Sequence, residues 1–399
     1  MHSVHRPLFN TILKNRIVQE IYFSQSATCS ELSEALDRSI PLISKTLYEL
    51  IEGGYVNEKG YGPSKGGRRP LMYSLKSDSM YVLAISLDQL YLKIGLVDMA
   101  QHYAHPIKTI PLILLDNKSS LQTLVSIIEE YLDETRMNRI QIIGIGIGMP
   151  GFIDATKGIS YTYLLTGTDE TLRDYLERQL NIPVHIENDS SMIALAELKF
   201  GLAKGKQDVM VINIGWGIGL GMIINGLPFR GFNGYAGELS HIPISESNTL
   251  CECGKRGCLE TEASLRVVSK IAIEDIRNGK VSNLRATDDP DLMIDYIMQA
   301  ALRGDQYVIE LLSDMGEKIG KAIAILNHIV NPEMVVLSGR GAKVGRILIT
   351  SMQQALNRYS IPRLAENLEL KVSKLGDDVG LISAAALAVQ HFGENHETK

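Results

Sequence analysis

Cys251-Glu252-Cys253-Gly254-Lys255-Arg256-Gly257-Cys258-Leu259-Glu260 gathers three of the chain's four cysteines into eight positions, and His241 stands ten residues upstream. Thiolates and a neutral imidazole are the donors a structural zinc prefers, and four of them close its tetrahedron with no position left for a reactive water. The pattern therefore predicts a zinc held by His241, Cys251, Cys253 and Cys258, an ion that shapes a loop and takes no part in chemistry. Cys29 lies too far off to complete an evenly spaced disulfide framework. Three buried or loosely disulfide-bonded thiols are the competing reading.

Outward from this motif the pattern is α/β. Strands are predicted over Tyr81 to Ser86, Leu90 to Val97 and His105 to Ile110, a helix over Leu121 to Leu132, and a buried strand over Ile140 to Ile147. Strand and helix alternate again through Pro183 to Glu187, Ser190 to Phe200 and Val209 to Ile214. Val209 to Gly226 carries no charge and is long enough to raise a membrane helix, but five glycines interrupt it, so a glycine-rich hairpin in a soluble sheet is expected and no membrane insertion. Val335-Val336-Leu337-Ser338-Gly339-Arg340-Gly341 again sets a strand before a tight turn, and an apolar helix near Ile382 to Val389 closes the chain. Gly146-Ile147-Gly148-Met149-Pro150-Gly151 has a dinucleotide spacing, yet Pro150 and the residues after it do not open the helix such a site needs.

The first 76 residues read differently. The net charge of −6 divides into about +3 here and about −9 over the remainder. Ile12 to Phe23 has an apolar face at Ile12, Ile17, Val18 and Ile21. A short second helix follows, capped by Thr28 or Ser30 and buried through Leu32, Ala35 and Leu36. After the turn at Asp37-Arg38-Ser39, Pro41 suits a first helical turn, Ile43, Leu47, Leu50 and Ile51 line a third helix, and Gly53-Gly54 stops it. This is a helix-turn-helix pattern whose second member presents Ser39, Ser44, Lys45, Thr46 and Tyr48 outward, toward a major groove. Tyr55 to Glu58 and Leu71 to Leu75 pair as the strands of a wing, with Lys65, Arg68 and Arg69 at its tip for phosphates or a narrow minor groove. A small helical dimerisation or peptide-binding domain is the alternative.

The cysteine motif with its trailing glutamate, the segment Gly234-Tyr235-Ala236-Gly237-Glu238-Leu239-Ser240-His241, and Glu187-Asn188-Asp189 at a strand end resemble the ROK family of sugar kinases and sugar-responsive repressors. The wing, ending in Gly67-Arg68-Arg69-Pro70, is similar to the repressor branch. The resemblance implies a winged helix-turn-helix over residues 1–76, then a two-lobed, actin-like (ribonuclease H-like) ATPase fold: a first lobe over 77–195 completed by a C-terminal helix at 381–393, and a second over 196–380 carrying the zinc loop. It implies a cleft that holds a hexose, with zinc ordering the loop beside it.

Pyranose hydroxyls are adjacent donor and acceptor pairs, gripped well by carboxylates and amides. By the family match Asn188, Asp189, Glu238, His241 and Glu260 line the sugar, and Gly151 lets backbone approach the ring. Taken singly, Asn188 and Asp189 read equally as helix caps, and Glu238 and Glu260 as solvated charges. His241 is claimed by both metal and sugar, which one imidazole satisfies only if each nitrogen faces a different partner. Ser240 stands where the family usually has glycine.

The kinase branch ends its first strand in Asp-x-Gly-Gly-Thr, whose glycine amides and hydroxyl hold ATP phosphates. Here the positions read Asp88-Gln89-Leu90-Tyr91-Leu92, with bulky side chains that keep phosphate off the backbone. Trp216 replaces a small hydroxylated residue in the second glycine run, and Arg340 is inserted at the adenosine end. Asp189 matches the kinase general base, but a base without a phosphoryl donor transfers nothing. No catalytic residue is assigned. The expectation is a cytoplasmic repressor, a homodimer or homotetramer, that binds operator DNA and responds to a sugar or sugar phosphate by changing the spacing of two winged helices. The start of the chain lacks a signal peptide's apolar core, and its cysteine usage fits a reducing compartment. The alternatives are an ATP-dependent sugar kinase with an accessory DNA-binding domain, and a binding module controlled by a protein partner.

Overall fold

The computed structural model describes residues 11–62 and 69–393, which fall into two compact units, one running to Asn188 and resuming at Leu381, the other spanning Asp189–Gly380.

The first unit opens with helix α1 (Ile12–Ser24), the short strand β1 (Ala27–Thr28), α2 (Cys29–Leu36) and α3 (Ile40–Glu52), followed by β2 (Val56–Tyr61) and β3 (Leu71–Leu75). Local chemistry sets each boundary. Thr28 accepts a hydrogen bond from the Glu31 amide while the Glu31 carboxylate reaches back to the Thr28 amide, a reciprocal capping box that starts α2. Asp37 ends α2 in the left-handed region at φ 51°, and Ser39 leads into α3 with Pro41 in its first turn. Strands β2 and β3 pair antiparallel and β1 adds to β3, giving the order β1-β3-β2, a winged helix-turn-helix. Ile17, Val18, Ile21, Leu32, Leu36, Ile43, Leu47 and Leu50 fill its core.

Three side chains depart from expectation. Ile12 is exposed at the start of α1, and Ala35 faces outward one step beyond the buried stripe of α2. Thr46, expected to face a groove, is buried on the inner side of α3, where its hydroxyl donates to the Leu42 carbonyl at 2.9 Å. Ser39, Ser44, Lys45 and Tyr48 are exposed as expected, and so is Arg69; the wing-tip positions Lys65 and Arg68 lie outside the described residues.

The rest of this unit is a five-stranded sheet of β4 (Tyr81–Leu87), β5 (Tyr91–Asp98), β6 (Lys108–Pro111), β7 (Ile142–Met149) and β10 (Val184–Asn188), with helices α4 (Ser120–Thr135) and α5 (Leu172–Leu180) and a small hairpin of β8 (Ile153–Asp154) and β9 (Ile159–Ser160). Strands β4, β5 and β6 form an antiparallel meander, whereas β7 and β10 join β4 in parallel. The second unit repeats this plan. After α6 (Asp189–Phe200), strands β11 (Val209–Ile214), β12 (Ile218–Ile224) and β13 (Leu227–Pro228) run antiparallel, and β14 (Met334–Ser338) and β15 (Glu369–Val372) add in parallel, in the order β13-β12-β11-β14-β15. Numbered within its own unit, each sheet has the order 3-2-1-4-5. This doubled sheet is the actin-like, ribonuclease H-like architecture. Helices α7 (Leu259–Ala263), α8 (Leu265–Arg277), α9 (Pro290–Leu302), α10 (Gln306–Val330), α11 (Gly345–Tyr359) and α12 (Pro362–Ala365) surround the second sheet. Its core joins Ile212, Ile214 and Leu337 to Ile297, Leu312, Ile319 and Leu348 from the helices.

The closing helix α13 (Val379–Gln390) lies against β7 in the first unit. A side chain at Gly146 would strike the Ala384 carbonyl, with its Cβ at 1.9 Å, so the glycine of the dinucleotide-like run serves helix packing. The expected strand at His105 begins only at Lys108, and no helix among the described residues is long and apolar enough to cross a membrane.

Candidate functional site

The second unit assembles most of the expected site around two short loops. Cys251 and Cys253 sit on a tight turn, closed by the Cys251 amide donating to the Lys255 carbonyl at 2.8 Å and the Gly254 amide donating back to Cys251 at 2.9 Å. Cys258 lies at the start of α7, and its strand-like bridge to Pro243 brings it beside the His241 turn. The Sγ atoms and an imidazole nitrogen of His241, Cys251, Cys253 and Cys258 all lie within 4.8 Å of one another. Cys251 Sγ stands 3.5 Å from His241 Nδ1, and Cys253 Sγ 3.7 Å from Cys258 Sγ. A disulfide requires sulfurs at about 2 Å, which rules out a Cys253–Cys258 bond. A tetrahedral ion with zinc's bond lengths sets its ligands about 3.6 Å apart for sulfur and nitrogen and about 3.8 Å for two sulfurs. The His241–Cys251 and Cys253–Cys258 separations match these values, and the four-donor cluster is compatible with such an ion. Burial holds the His241 imidazole below its usual range, and pushes the Cys258 thiol up to about 12, reinforced by its two neighbouring cysteines.

The carboxylates stand beside this cluster. Glu238 follows Gly237, whose φ of 104° suits glycine and whose Cβ would meet the Leu220 carbonyl at 2.4 Å. The Glu238 carboxylate lies 3.7 Å from His241 Nε2, so the two ring nitrogens face opposite ways, Nδ1 toward the thiols and Nε2 toward the carboxylate. Such an orientation leaves one nitrogen for the thiol cluster and the other for a polar partner. Ser240, the departure from the family pattern, is buried and turned away from solvent. Glu260 is two residues past Cys258, in the first turn of α7, and accepts a hydrogen bond from the Ile218 amide at 3.0 Å. A side chain at Gly217 would come within 2.7 Å of that carboxylate. Burial raises the pKa values of both Glu238 and Glu260, and the charge of Asp189 raises both further. Three acids thus converge on one region.

Asp189 is the first residue of α6. One carboxylate oxygen accepts from the Ser190 amide at 2.8 Å, and the other accepts from Asn213 Nδ2 at 3.1 Å. Its helix-starting role and its place among the acids are both real. Asn213, nine-tenths buried at the end of β11, escapes a reading of motifs, although it is the one polar residue in Val209–Ile214. The remaining two expected residues lie in the first unit, where Asn188 Nδ2 donates to the Gly151 carbonyl at 3.2 Å. Gly151 has φ 93°, and its Cβ would strike Thr162 at 2.6 Å.

Two positions that differ from the kinase pattern are held by the chain's own contacts. Asp88 Oδ1 accepts hydrogen bonds from the Leu90 and Tyr91 amides at 2.7 and 2.6 Å, so the amides of this turn hold a carboxylate of the chain itself. In the second unit Arg340 is pinned to α9, with its guanidinium 2.5 Å from Asp291 and 2.8 Å from Asp295.

The sequence profile of the ROK family matches residues 116–391. A xylose repressor of Caldicellulosiruptor bescii is 30% identical over 96% of this chain and 94% of its own length. A glucokinase of Halalkalibacterium halodurans is 34% identical over 66% of this chain and 81% of its own. The crystal structure of a ROK family transcriptional regulator, a homologue of the E. coli MLC protein, superposes with a TM-score of 0.77 at 26% identity, covering 95% of this chain and 96% of that one.

Proposed function

The chain belongs to the ROK family, and on that premise we propose that it is a sugar-responsive transcriptional repressor of carbohydrate uptake or catabolism genes. Residues 1–76 read operator DNA, through Ser39, Ser44, Lys45 and Tyr48 on α3 and Lys65, Arg68 and Arg69 of the wing. The following domains, 77–195 with 381–393 and 196–380, hold a sugar or sugar phosphate through Gly151, Asn188, Asp189, Glu238, His241 and Glu260. The carrying observation is the Asp88 turn, where a carboxylate of the chain fills the amides that a kinase leaves to phosphate. A DNA-reading module joined to a sugar-kinase fold with that turn closed has kept recognition and given up transfer.

His241, Cys251, Cys253 and Cys258 hold a structural zinc in this reading, supported by ligand separations that match a tetrahedral ion. The ion ties the Cys251–Cys253 turn and the start of α7 to the His241 turn, which sets the distance between Glu238 and Glu260. The protein acts in the cytoplasm as a homodimer or homotetramer, since paired half-sites call for paired modules.

One observation favours the second reading, an ATP-dependent sugar kinase: Asp189 stands where that chemistry places its general base, with its carboxylate oriented by Ser190 and Asn213. The two separate in one pair of measurements. A thermal-shift screen of xylose, glucose, other sugars and their 6-phosphates should find a stabilising ligand that changes binding to the chain's own upstream DNA. The same sugars with ATP and magnesium should give no phosphorylated product, and robust turnover overturns the repressor reading.

A further inference from the structure

The outward side of α3 carries, beside Ser44 and Lys45, a set of exposed apolar side chains where a groove-reading helix is usually polar. Ile40 is 52% exposed, Leu42 42% and Tyr48 61%, and Pro41 is exposed between the first two. None of them is needed by the core, which takes Ile43, Thr46, Leu47 and Leu50 from the opposite side. Ile40–Glu52 contains no Arg, Asn or Gln, and Lys45 is its only cation. The residues that pair twice with guanine or adenine edges are therefore missing from this helix, apart from one lysine.

An apolar side chain finds one apolar partner in the major groove, the C5-methyl of thymine. The same module suits a duplex: Arg38, Lys45, Lys59 and Arg69 are exposed and available to phosphates. We propose that α3 reads its half-site by thymine methyls, with Ile40 and Leu42, flanking Pro41, as the specificity-determining residues and Tyr48 extending the same apolar surface. The partner is a run of A·T pairs whose methyl pattern, and not a guanine edge, sets the register. This rests on the reading of residues 1–76 as a DNA-binding domain and names what that domain recognises.

The test uses the full-length protein and duplexes selected by it from a randomised pool. Each selected thymine is replaced by deoxyuridine, which removes the methyl and leaves the base-pairing edges unchanged. Burying one methyl-sized group is worth about 0.8 kcal/mol, so each contacted position should weaken binding about fourfold. The Ile40→Ala, Leu42→Ala double variant should bind thymine DNA more weakly and lose its sensitivity to deoxyuridine, closing a double-mutant cycle. Arg69→Ala should weaken both DNAs equally. Selected sites that require G·C pairs opposite α3, or deoxyuridine without effect, overturn the methyl reading while leaving DNA binding intact. A pool that yields no enriched sequence overturns the DNA-binding reading beneath it.

Discussion

Two turns hold the same place in their sheets: Asp88–Leu90 leads from β4 into β5, and Gly215–Gly217 leads from β11 into β12. The first is closed from within, because its own Asp88 takes the Leu90 and Tyr91 amides. The second stays open, because Gly217 leaves room for a carboxylate from elsewhere, and Glu260 arrives from α7 to meet the Ile218 amide. One architecture, used twice, has thus ended with a turn filled by its own side chain in one unit and with a turn met by a carboxylate from a distant helix in the other. A turn's chemistry follows from which side chain reaches its amides, and strand order alone does not decide it.

The largest effect should come from removing what steadies the open side. Chelation or Cys258→Ser releases the loop that carries Glu260, and should lower the unfolding midpoint on the order of 10 °C. Hydrogen-exchange protection should fall around α7 and the His241 turn and hold in the first unit. An unchanged midpoint in metal-free protein would remove the zinc assignment. Next, Glu260→Gln keeps the shape and loses the charge; hydrogen bonds to charged groups are worth about 1.5–3 kcal/mol, so sugar affinity should drop about 10- to 100-fold by calorimetry.

Gly217→Ala probes the comparison itself. Its Cβ would sit 2.7 Å from Glu260 Oε1, so the carboxylate must shift, and sugar binding should weaken about tenfold, about 1.4 kcal/mol, with little change in midpoint. Unaltered affinity would show that Glu260 does not act through this turn. The smallest effect belongs to the sealed corner. Asp88→Ala should cost about 1 kcal/mol, a shift of a few degrees, and bring no sugar phosphorylation with it. A variant that gained transfer would show that Asp88 alone closes the phosphate turn.

What could be read beforehand follows the range of the interaction. The ligand set at His241, Cys251, Cys253 and Cys258 spans eighteen positions and has one economical chemistry, so spacing was enough to bring it together. The capping box at Thr28 and Glu31 is equally local. Thr46 was misplaced because at the edge of a helix's buried stripe a small hydroxylated side chain fits either face, and its own backbone decided the matter. Asn213 with Asp189, and Arg340 with Asp291 and Asp295, depend on sheet register and on helices 24 to 49 residues away, which no local pattern encodes. The loss of glycine at Leu90 and Tyr91 was visible. That Asp88 would take over the vacated amides was not, because it depends on a side-chain rotamer within the turn.

The last helix also has a bearing on how the protein is made. Gln19 of α1 donates through its amide to the carbonyls of Gln390 and Phe392, bonds spanning 371 and 373 positions, and Gly393 is held so close to Asn15 that a side chain there would collide. Helix α1 therefore finds an anchor in residues that are synthesised long after it. Until residues 390–393 have been made, α1 lacks this seat, and a chain truncated before them leaves the N-terminal helices without it.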